Sequence, residues 1–534
     1  MREINPRARR PWRTALALTA LLAGGVLPAM PARAAPPPDL DHMVHSAMRA
    51  FGTPGLSLAI VENGRTVVAK GYGVRSIVTR APVNAHTLFP IGSETKAFTS
   101  AALAILAEEG KLKWSDHVAA HLPGFRMYDP YATAHMTIRD LLTHRSGLGL
   151  GEGDLLIVPA STRSGASVVH ALRYLKPRTG FREVFAYDNV LYIAAGSMVQ
   201  AISGEPWSRF VRERILDPLG MTDVTTAYDP DAPNAVALHA RIDGPIRGIG
   251  PLSVLHHWLD SPAASPAGGI NASALDMARW MTMWQEDGRL PDGRRLLSAK
   301  AVHALRSPVV VVPVNAFGAP ASVLPKPALQ DYALGWFVEV DDGQKVIEHD
   351  GGVLGGLAAL YFIPGKHVAF SICINSEDVD TLEALVYELL DYYSGRPRRN
   401  WVPVLLKLHR ALVKRQLAAL KQLSPAYRPN SHSSLPIRDY AGVYADPWYG
   451  RMTIEARAGG RLRIRFDETP GMQGALEHVA NDIFQTHWSQ RGIPDAYVMF
   501  TVRQGRVARL AMKPVSPWTD FSFDYRDLHF APVH

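Results

Sequence analysis

The chain has 534 residues, of which 47% are apolar and 20% charged, with a formal charge of +8 and a single cysteine. That length calls for two or three domains, and that balance is the one of a folded soluble protein. Six arginines against one glutamate in residues 1–34 carry +5 of the charge, and the remaining +3 is no basis for nucleic-acid binding. Lone Cys373, in Ala369-Phe-Ser-Ile-Cys-Ile, excludes an internal disulfide and a cysteine metal cluster, and reads as a buried strand position.

Residues 1–34 read as a signal peptide. Arg2, Arg7, Arg9, Arg10 and Arg13 form a basic start, and Ala15–Val26 is an apolar run too short to span a bilayer. Ala32-Arg33-Ala34 fits a small-x-small cleavage site, so a mature chain from Ala35, periplasmic or secreted, is expected. Arg9-Arg10 leaves the route open between the general and the twin-arginine pathways. No later stretch is long and apolar enough for a transmembrane helix.

Leu40–Phe51 reads as a helix. Leu56–Glu62 and Thr66–Tyr72 flank Asn63-Gly64-Arg65, which is hairpin chemistry. A helix follows to about Gly110, and from Trp114 to Trp284 the pattern is mainly helical. Within it Thr137…Asp140 looks like a capping box, Val190–Ile202 a helix closed by Ser203-Gly204, and Ala274–Trp284 another helix. Ser307–Gln330 lacks a period and reads as a long surface excursion, placed over a site. Two hairpins follow, Leu334–Val340 with Gln344–His349 and Leu357–Ile363 with His367–Ile374, and then a helix over Thr381–Tyr393. Strands at both ends with helices between predict one antiparallel sheet covered by helices, with an all-helical lobe inserted. The domain is expected to span 35–398 and a connecting segment 399–435. Within the latter, Val402–Leu423 is a basic helix that suits packing on its neighbours better than lying on an anionic membrane. In 436–534, short alternating runs (Arg451–Ala456, Arg461–Phe466, Ala496–Val502, Val507–Met512, Phe521–Tyr525) predict a small antiparallel barrel or sandwich.

The chemistry starts at Phe89-Pro-Ile-Gly-Ser93-Glu-Thr-Lys96. Residues three apart on a helix are neighbours, so Lys96 can reach the Ser93 hydroxyl, which is a poor nucleophile until a base takes its proton. A helix start also offers backbone N–H groups to a developing negative charge. That combination suits acyl transfer. Two further elements stand at intervals, Tyr187-x-Asn189 and His349-Asp350-Gly351.

These three motifs in this order resemble the penicillin-recognising serine hydrolases, in the branch of class C β-lactamases, D-alanyl-D-alanine carboxypeptidases, D-aminopeptidases and β-lactamase-fold esterases. The flanks Thr137-Ile-Arg-Asp-Leu-Leu-Thr-His, Ile215–Met221, Pro266-Ala-Gly-Gly and Leu334-Gly-Trp are similar too, and the resemblance covers about residues 40–395. It implies an α+β, β-lactamase/transpeptidase-like fold. It also implies Ser93 as nucleophile, Lys96 or Tyr187 as base, and Asn189 as holder of Lys96 or of the substrate amide. His349 and Gly351 would lie on an edge strand facing the site, and the N–H groups of Ser93 and Gly352 would form the oxyanion hole. His349 stands where β-lactamases carry the lysine that helps bind the substrate carboxylate, which argues against efficient β-lactam hydrolysis. Asp188, where serine is common, is expected to point outward. Asp439-Tyr-Ala-Gly-Val-Tyr opens a stretch resembling the lipocalin-like domain appended to some serine peptidases of this group, there to limit access, mediate assembly or merely stabilise.

Neither a Gly-x-Ser-x-Gly elbow nor a His-Glu-x-x-His occurs, and His256-His257 lacks a third ligand at metal spacing. No Walker loop or dinucleotide fingerprint is present. The expectation is a metal-free, cofactor-free exported serine hydrolase acting on a small-molecule or short-peptide substrate (a D-amino-acid peptide, a peptidoglycan fragment or an ester). The rival is a non-catalytic binder of cell-wall peptides or β-lactams on the same fold. Oligomeric state has no signal in the sequence.

Overall fold

The computed structural model describes residues 35–533, apart from 230, 256–260, 314, 318–322 and 424–430. The expected signal peptide and the His256-His257 pair lie outside the described residues.

Eight antiparallel strands make the main sheet: β1 (Gly55–Glu62), β2 (Arg65–Gly73), β3 (Val310–Val311), β4 (Leu329–Tyr332), β5 (Phe337–Asp341), β6 (Gln344–Val353), β7 (Gly356–Ile363) and β8 (Val368–Ile374). Their order is β2-β1-β8-β7-β6-β5-β4-β3. The first and last strands of the domain pair directly, Leu56 with Ile374 through Glu62 with Val368, so the sheet closes around the inserted helices. Asn63 and Gly64, both with positive φ, turn the β1–β2 hairpin.

Side chains alternate across these strands. Ala59, Val61 and Cys373 point to a core that includes Trp280 and Trp336, and helix Ala274–Gln285 covers that face. Helices Leu40–Phe51 and Val379–Ser394 pack together, the latter against β7 and β8. The helix Val402–Leu423 packs on both of them and ties His409 to Asp380 at 2.7 Å, which agrees with a connecting helix. No described helix is long and apolar enough to cross a membrane.

The helical lobe lies between β2 and β3. The Thr137 capping box is present, with the Thr137 hydroxyl accepting from the Asp140 N–H and the Asp140 carboxylate accepting from the Thr137 N–H. Helix Val190–Ser203 ends at Gly204 in the left-handed conformation. The serine helix, Thr95–Glu108, runs through the interior, with Thr95 to Leu106 buried on every side.

Eight further strands close into a barrel: β9 (Gly442–Asp446), β10 (Gly450–Arg457), β11 (Arg461–Phe466), β12 (Gln473–Ala480), β13 (Ile483–Trp488), β14 (Ala496–Arg503), β15 (Arg506–Pro514) and β16 (His529–Pro532). Closure comes from β16 on β9, with Tyr444 opposite Pro532. Strand β11 shows the logic: Leu462, Ile464 and Phe466 are buried while Arg461, Arg463 and Arg465 are exposed.

Several expectations change. Leu334-Gly335-Trp336 is a turn and not part of a strand, because Gly335 takes φ +87° and a Cβ there would meet the Lys96 carbonyl oxygen at 3.0 Å. The 307–330 segment supplies two strands, β3 and the start of β4. These extend the sheet beyond β5. The strand bearing His349 and Gly351 is interior to the sheet because β5 pairs with its first half, Phe337 with Glu348 through Asp341 with Gln344, while His349–Val353 pair with β7 alone. Phe521–Tyr525 is not a strand. It belongs to the connection between β15 and β16, whose Asp520 side chain accepts from the Ser522 N–H at 2.9 Å and folds it into turns.

Candidate active site

Ser93 sits in a short turn, Gly92–Glu94, that runs directly into Thr95–Glu108. Its N–H belongs to a first turn, where N–H groups have no acceptor within the helix. Lys96 is one turn on and wholly buried. Its Nζ contacts three oxygens: Ser93 Oγ at 2.9 Å, Asn189 Oδ1 at 2.7 Å and the Ala267 carbonyl at 2.9 Å. The last comes from the Pro266-Ala-Gly-Gly stretch, held to the serine helix by Thr99 Oγ1 donating to the Pro266 carbonyl at 2.7 Å. Burial pulls the Lys96 amine down to about 7, against the Asp154 and Asp188 carboxylates, which favour its charged form.

Tyr187 and Asn189 lead into helix Val190–Ser203 from the far wall. The Tyr187 ring lies beside Lys96, its centroid 4.8 Å from Nζ, and stacks on the His144 ring at 4.1 Å. The Tyr187 hydroxyl is buried without a partner of hydrogen-bonding geometry among the described residues. Burial holds this phenol well above its ordinary value, only partly opposed by the Ser93 hydroxyl.

Asp188 does not point outward. It is fully buried and accepts from the Ser146 hydroxyl at 3.1 Å and, more weakly, from the Leu191 N–H at 3.4 Å. Burial raises its carboxyl to about 7. These two donors, from a loop 42 residues away and from the helix start, make an inward carboxylate tolerable.

The third wall is β6. Gly351 and Gly352 run against Gly92: a Cβ on Gly92 would stand 2.7 Å from Gly352 N, and one on Gly351 would fall on the Ile91 carbonyl oxygen. Glycine at 92 and at 351 permits this approach, and it sets the Gly352 nitrogen beside the Ser93 turn. His349 is 1% exposed, with Nε2 against Tyr332 Oη at 3.1 Å and Nδ1 against the Asp350 carbonyl at 2.7 Å. Nδ1 therefore carries the proton. Burial, aided by nearby Lys96, brings the imidazole down to about 3, so it is neutral.

Around the mouth, Phe185, Tyr187, Tyr332 and Phe337 form an aromatic cluster with Val312. Phe317 is half exposed and caps it, 5.8 Å from Tyr187 and 6.1 Å from Phe337 between ring centroids. The 307–330 excursion thus does reach over the site.

The structure brings all seven expected residues together: Ser93, Lys96, Tyr187, Asn189, His349, Gly351 and Gly352. Sequence reading missed Asp154, which accepts from Asn189 Nδ2 at 2.8 Å, and the Ala267 carbonyl. The Pro266-Ala-Gly-Gly flank pointed to the second, and nothing local singled out Asp154. Among the described residues, no group of three or more His, Cys, Asp or Glu side chains is placed to hold a metal ion.

The Beta-lactamase family model matches residues 40–393, the sheet and its helical lobe together. The chain belongs to the Beta-lactamase family. Residues 426–532 match a second family, described only as a domain of unknown function. Among relatives of this family member, unguisins hydrolase ungD from Aspergillus violaceofuscus is 27% identical over 475 residues, 84% of this chain and 82% of that protein. Protein flp of Staphylococcus aureus is 25% identical over 349 residues, 64% of each. The octameric penicillin-binding protein homologue from Pyrococcus abyssi aligns with a TM-score of 0.57 at 20% identity, covering 89% of this chain and 97% of that one. A mutant class C beta-lactamase aligns with a TM-score of 0.53 at 17% identity, covering 66% and 96%. The last two show the fold alone; that the chain is an enzyme, a serine hydrolase, comes with the Beta-lactamase family itself.

Proposed function

We propose that this enzyme is an exported serine hydrolase that cleaves amide or ester bonds of small substrates through an acyl-enzyme on Ser93. The observation that carries the reading is the set of partners at Lys96 Nζ. Asn189 Oδ1 and the Ala267 carbonyl are pure acceptors and take two N–H bonds. A neutral amine has two hydrogens and one lone pair, so its lone pair is left for Ser93 Oγ, at 2.9 Å. Lys96, at about 7, is half neutral near pH 7, whereas the Tyr187 phenol is protonated throughout that range. Lys96 is therefore the base.

In the first step Ser93 Oγ bonds to the carbonyl carbon as its proton passes to Lys96. The N–H groups of Ser93 and Gly352 receive the oxyanion. The Lys96 ammonium returns the proton to the leaving nitrogen or oxygen, with the Tyr187 hydroxyl as a relay, and the carbon–leaving-group bond breaks. Water then attacks the ester, giving one proton to Lys96; the bond between the acyl carbon and Ser93 Oγ breaks as Lys96 returns that proton to Oγ, and a carboxylic acid leaves.

The substrates are D-amino-acid peptides, peptidoglycan fragments or esters, and among these the uncharged and apolar ones are favoured. Both His349 nitrogens are engaged internally and the ring is neutral, so it offers no cation to a carboxylate. The cluster of Phe185, Phe317 and Phe337 suits an apolar group instead. The name of the fungal relative, a hydrolase of unguisins, supports hydrolysis. The basic, apolar and small-residue order of 1–34 supports export, which N-terminal sequencing of envelope-derived protein would check.

The deciding experiment is labelling with a fluorophosphonate and a fluorescent penicillin. Labelling of wild type but not of Ser93→Ala is expected. Absence of labelling by any acylating probe leaves the non-catalytic binder as the better reading.

A further inference from the structure

The connection between β15 and β16 of the barrel docks on the loop that supplies Asp154. A Cβ on Gly151 would meet the Phe521 ring at 2.5 Å, and Asp524 accepts from the N–H groups of Gly153 at 2.8 Å and Leu155 at 3.3 Å. Arg178 pairs with Asp527, and Arg163 donates to the Tyr449 carbonyl. In the middle, the Ser522 hydroxyl donates to Asp154 Oδ2 at 2.9 Å. The same oxygen accepts from Asn189 Nδ2, and Asn189 Oδ1 faces Lys96. A continuous line of hydrogen bonds therefore runs from the barrel to Ser93.

We propose that Ser522 is a positioning residue for hydrolysis: through Asp154 the barrel fixes the Asn189 amide with its oxygen towards Lys96. This rests on the reading of Lys96 as the base. An amide has a donor end and an acceptor end of nearly equal size, and its partners choose between them. An ionised Asp154 can only accept, so it claims the NH2 and leaves the oxygen for Lys96. A protonated Asp154 could donate instead, and the flipped amide would then turn N–H groups on the Lys96 lone pair that Ser93 requires.

Asp154 needs donors to stay ionised. It is wholly buried, and its second oxygen has no partner among the described residues. Burial pushes its carboxyl up to about 6, opposed chiefly by the bonds from Asn189 and Ser522. Asn189 comes from the catalytic domain itself and Ser522 comes from the barrel, so the barrel supplies one of the two bonds that keep this carboxylate charged. The other groups facing Lys96 are Asp188, Tyr187, Tyr192, His144 and His349. Among the described residues none of these hydrogen-bonds to Ser522, so its effect passes through Asp154.

The test uses the full-length chain with Ser522→Ala, Ser522→Thr and Glu468→Gln. Glu468 also joins the barrel to the catalytic domain, at Thr162, but does not reach Asp154. The readouts are the rate of Ser93 labelling by a fluorophosphonate between about pH 5 and 9, and kcat and KM for p-nitrophenyl butyrate. Ser522→Ala is expected to lower the labelling rate roughly tenfold, the upper range for one hydrogen bond. kcat should fall with KM unchanged. The acidic limb should move to lower pH, because a neutral Asp154 no longer holds the Lys96 proton. Ser522→Thr should restore both, and Glu468→Gln should leave both as in wild type. Should Ala loosen the docking, seen as a lowered melting temperature, Ser522→Cys keeps the volume and is read by the same criteria. An unchanged rate and limb in Ser522→Ala overturns the proposal, as does a lower rate with the limb in place or one that Thr does not restore. Failure of wild type to label at any pH instead sinks the acyl-enzyme reading on which it rests.

Discussion

The Lys96 amine lies 2.7 Å from the Asn189 side-chain oxygen, a contact between residues 93 apart in sequence. It joins the serine helix to the helical lobe at the point of the proposed proton transfer. Lys96 has no freedom to wander, since the Ala267 carbonyl holds it from a third direction.

Replacing Ser93 by Ala should abolish covalent labelling and turnover together. Lys96→Met should leave Ser93 in place without a base, and its labelling rate should fall roughly 10²- to 10⁴-fold, the range of general-base catalysis. Stopped-flow labelling of the two variants checks this, and a Lys96→Met enzyme within a few-fold of wild type would remove Lys96 from its role.

The rate should depend on pH through Lys96. Its amine is brought down to about 7, and only the neutral form can take the Ser93 proton. Labelling should thus be slow in acid, rise about tenfold per pH unit below about pH 7, and level off above it. Ionisation of Tyr187 contributes nothing in this range, because burial holds the phenol far higher. A profile flat from about pH 5 to 9 is the result that contradicts this.

Gly351 and Gly352 should respond differently to alanine. At Gly351 the new Cβ meets the Ile91 carbonyl oxygen and lies 3.3 Å from Ala358 Cβ, so β6 must retreat from the Ser93 turn. Gly351→Ala is expected to lose about 10²-fold or more in kcat, as when an oxyanion donor is displaced. At Gly352 the nearest atom is 3.7 Å away, ordinary contact, so Gly352→Ala should fold as wild type does. Circular dichroism melts and kinetics on the pair separate strain from chemistry.

Nitrocefin should be a poor substrate. Its carboxylate finds no cation at His349, which is neutral and internally bonded. A lost charge-assisted hydrogen bond corresponds to roughly a 10²-fold loss in kcat/KM. Comparison of nitrocefin with p-nitrophenyl butyrate and D-Ala-p-nitroanilide measures this directly, and rapid nitrocefin turnover would refute it.

Ser93 and Lys96 were legible because their relation is local: three residues on one helical turn fix the distance whatever surrounds them. The alternation of β11 and the Asn63-Gly64 hairpin are local in the same sense, as is the capping box at Thr137. The chemical types at Tyr187, Asn189, His349, Gly351 and Gly352 were legible as motifs in order. Where they stand was decided by the sheet. Strand β6 is interior because β5 pairs with its first half, Phe337 with Glu348 through Asp341 with Gln344, and β3 and β4, drawn from a stretch without period, extend the sheet further. Asp188 faces inward because Ser146 meets it there, and no pattern near residue 188 announces a hydroxyl 42 residues earlier. Phe521–Tyr525 carries strand-like alternation, yet Asp520 just before it accepts from the nearby Ser522 N–H and Asp524 within it accepts from the distant Gly153 N–H, and these hold it as a docking loop.

The sequence by itself therefore determined that Ser93 and Lys96 stand side by side and which fold carries them, since helix spacing and ordered motifs are short-range properties of the chain. Only the tertiary structure decided what Lys96 can do. Its remaining partners, Asn189 and Ala267, and Asp154 and Ser522 behind Asn189, come from segments far apart. Lys96, Ala267 and Asp154 are buried there and Asn189 and Ser522 half-buried, and that burial is what makes each hydrogen bond count.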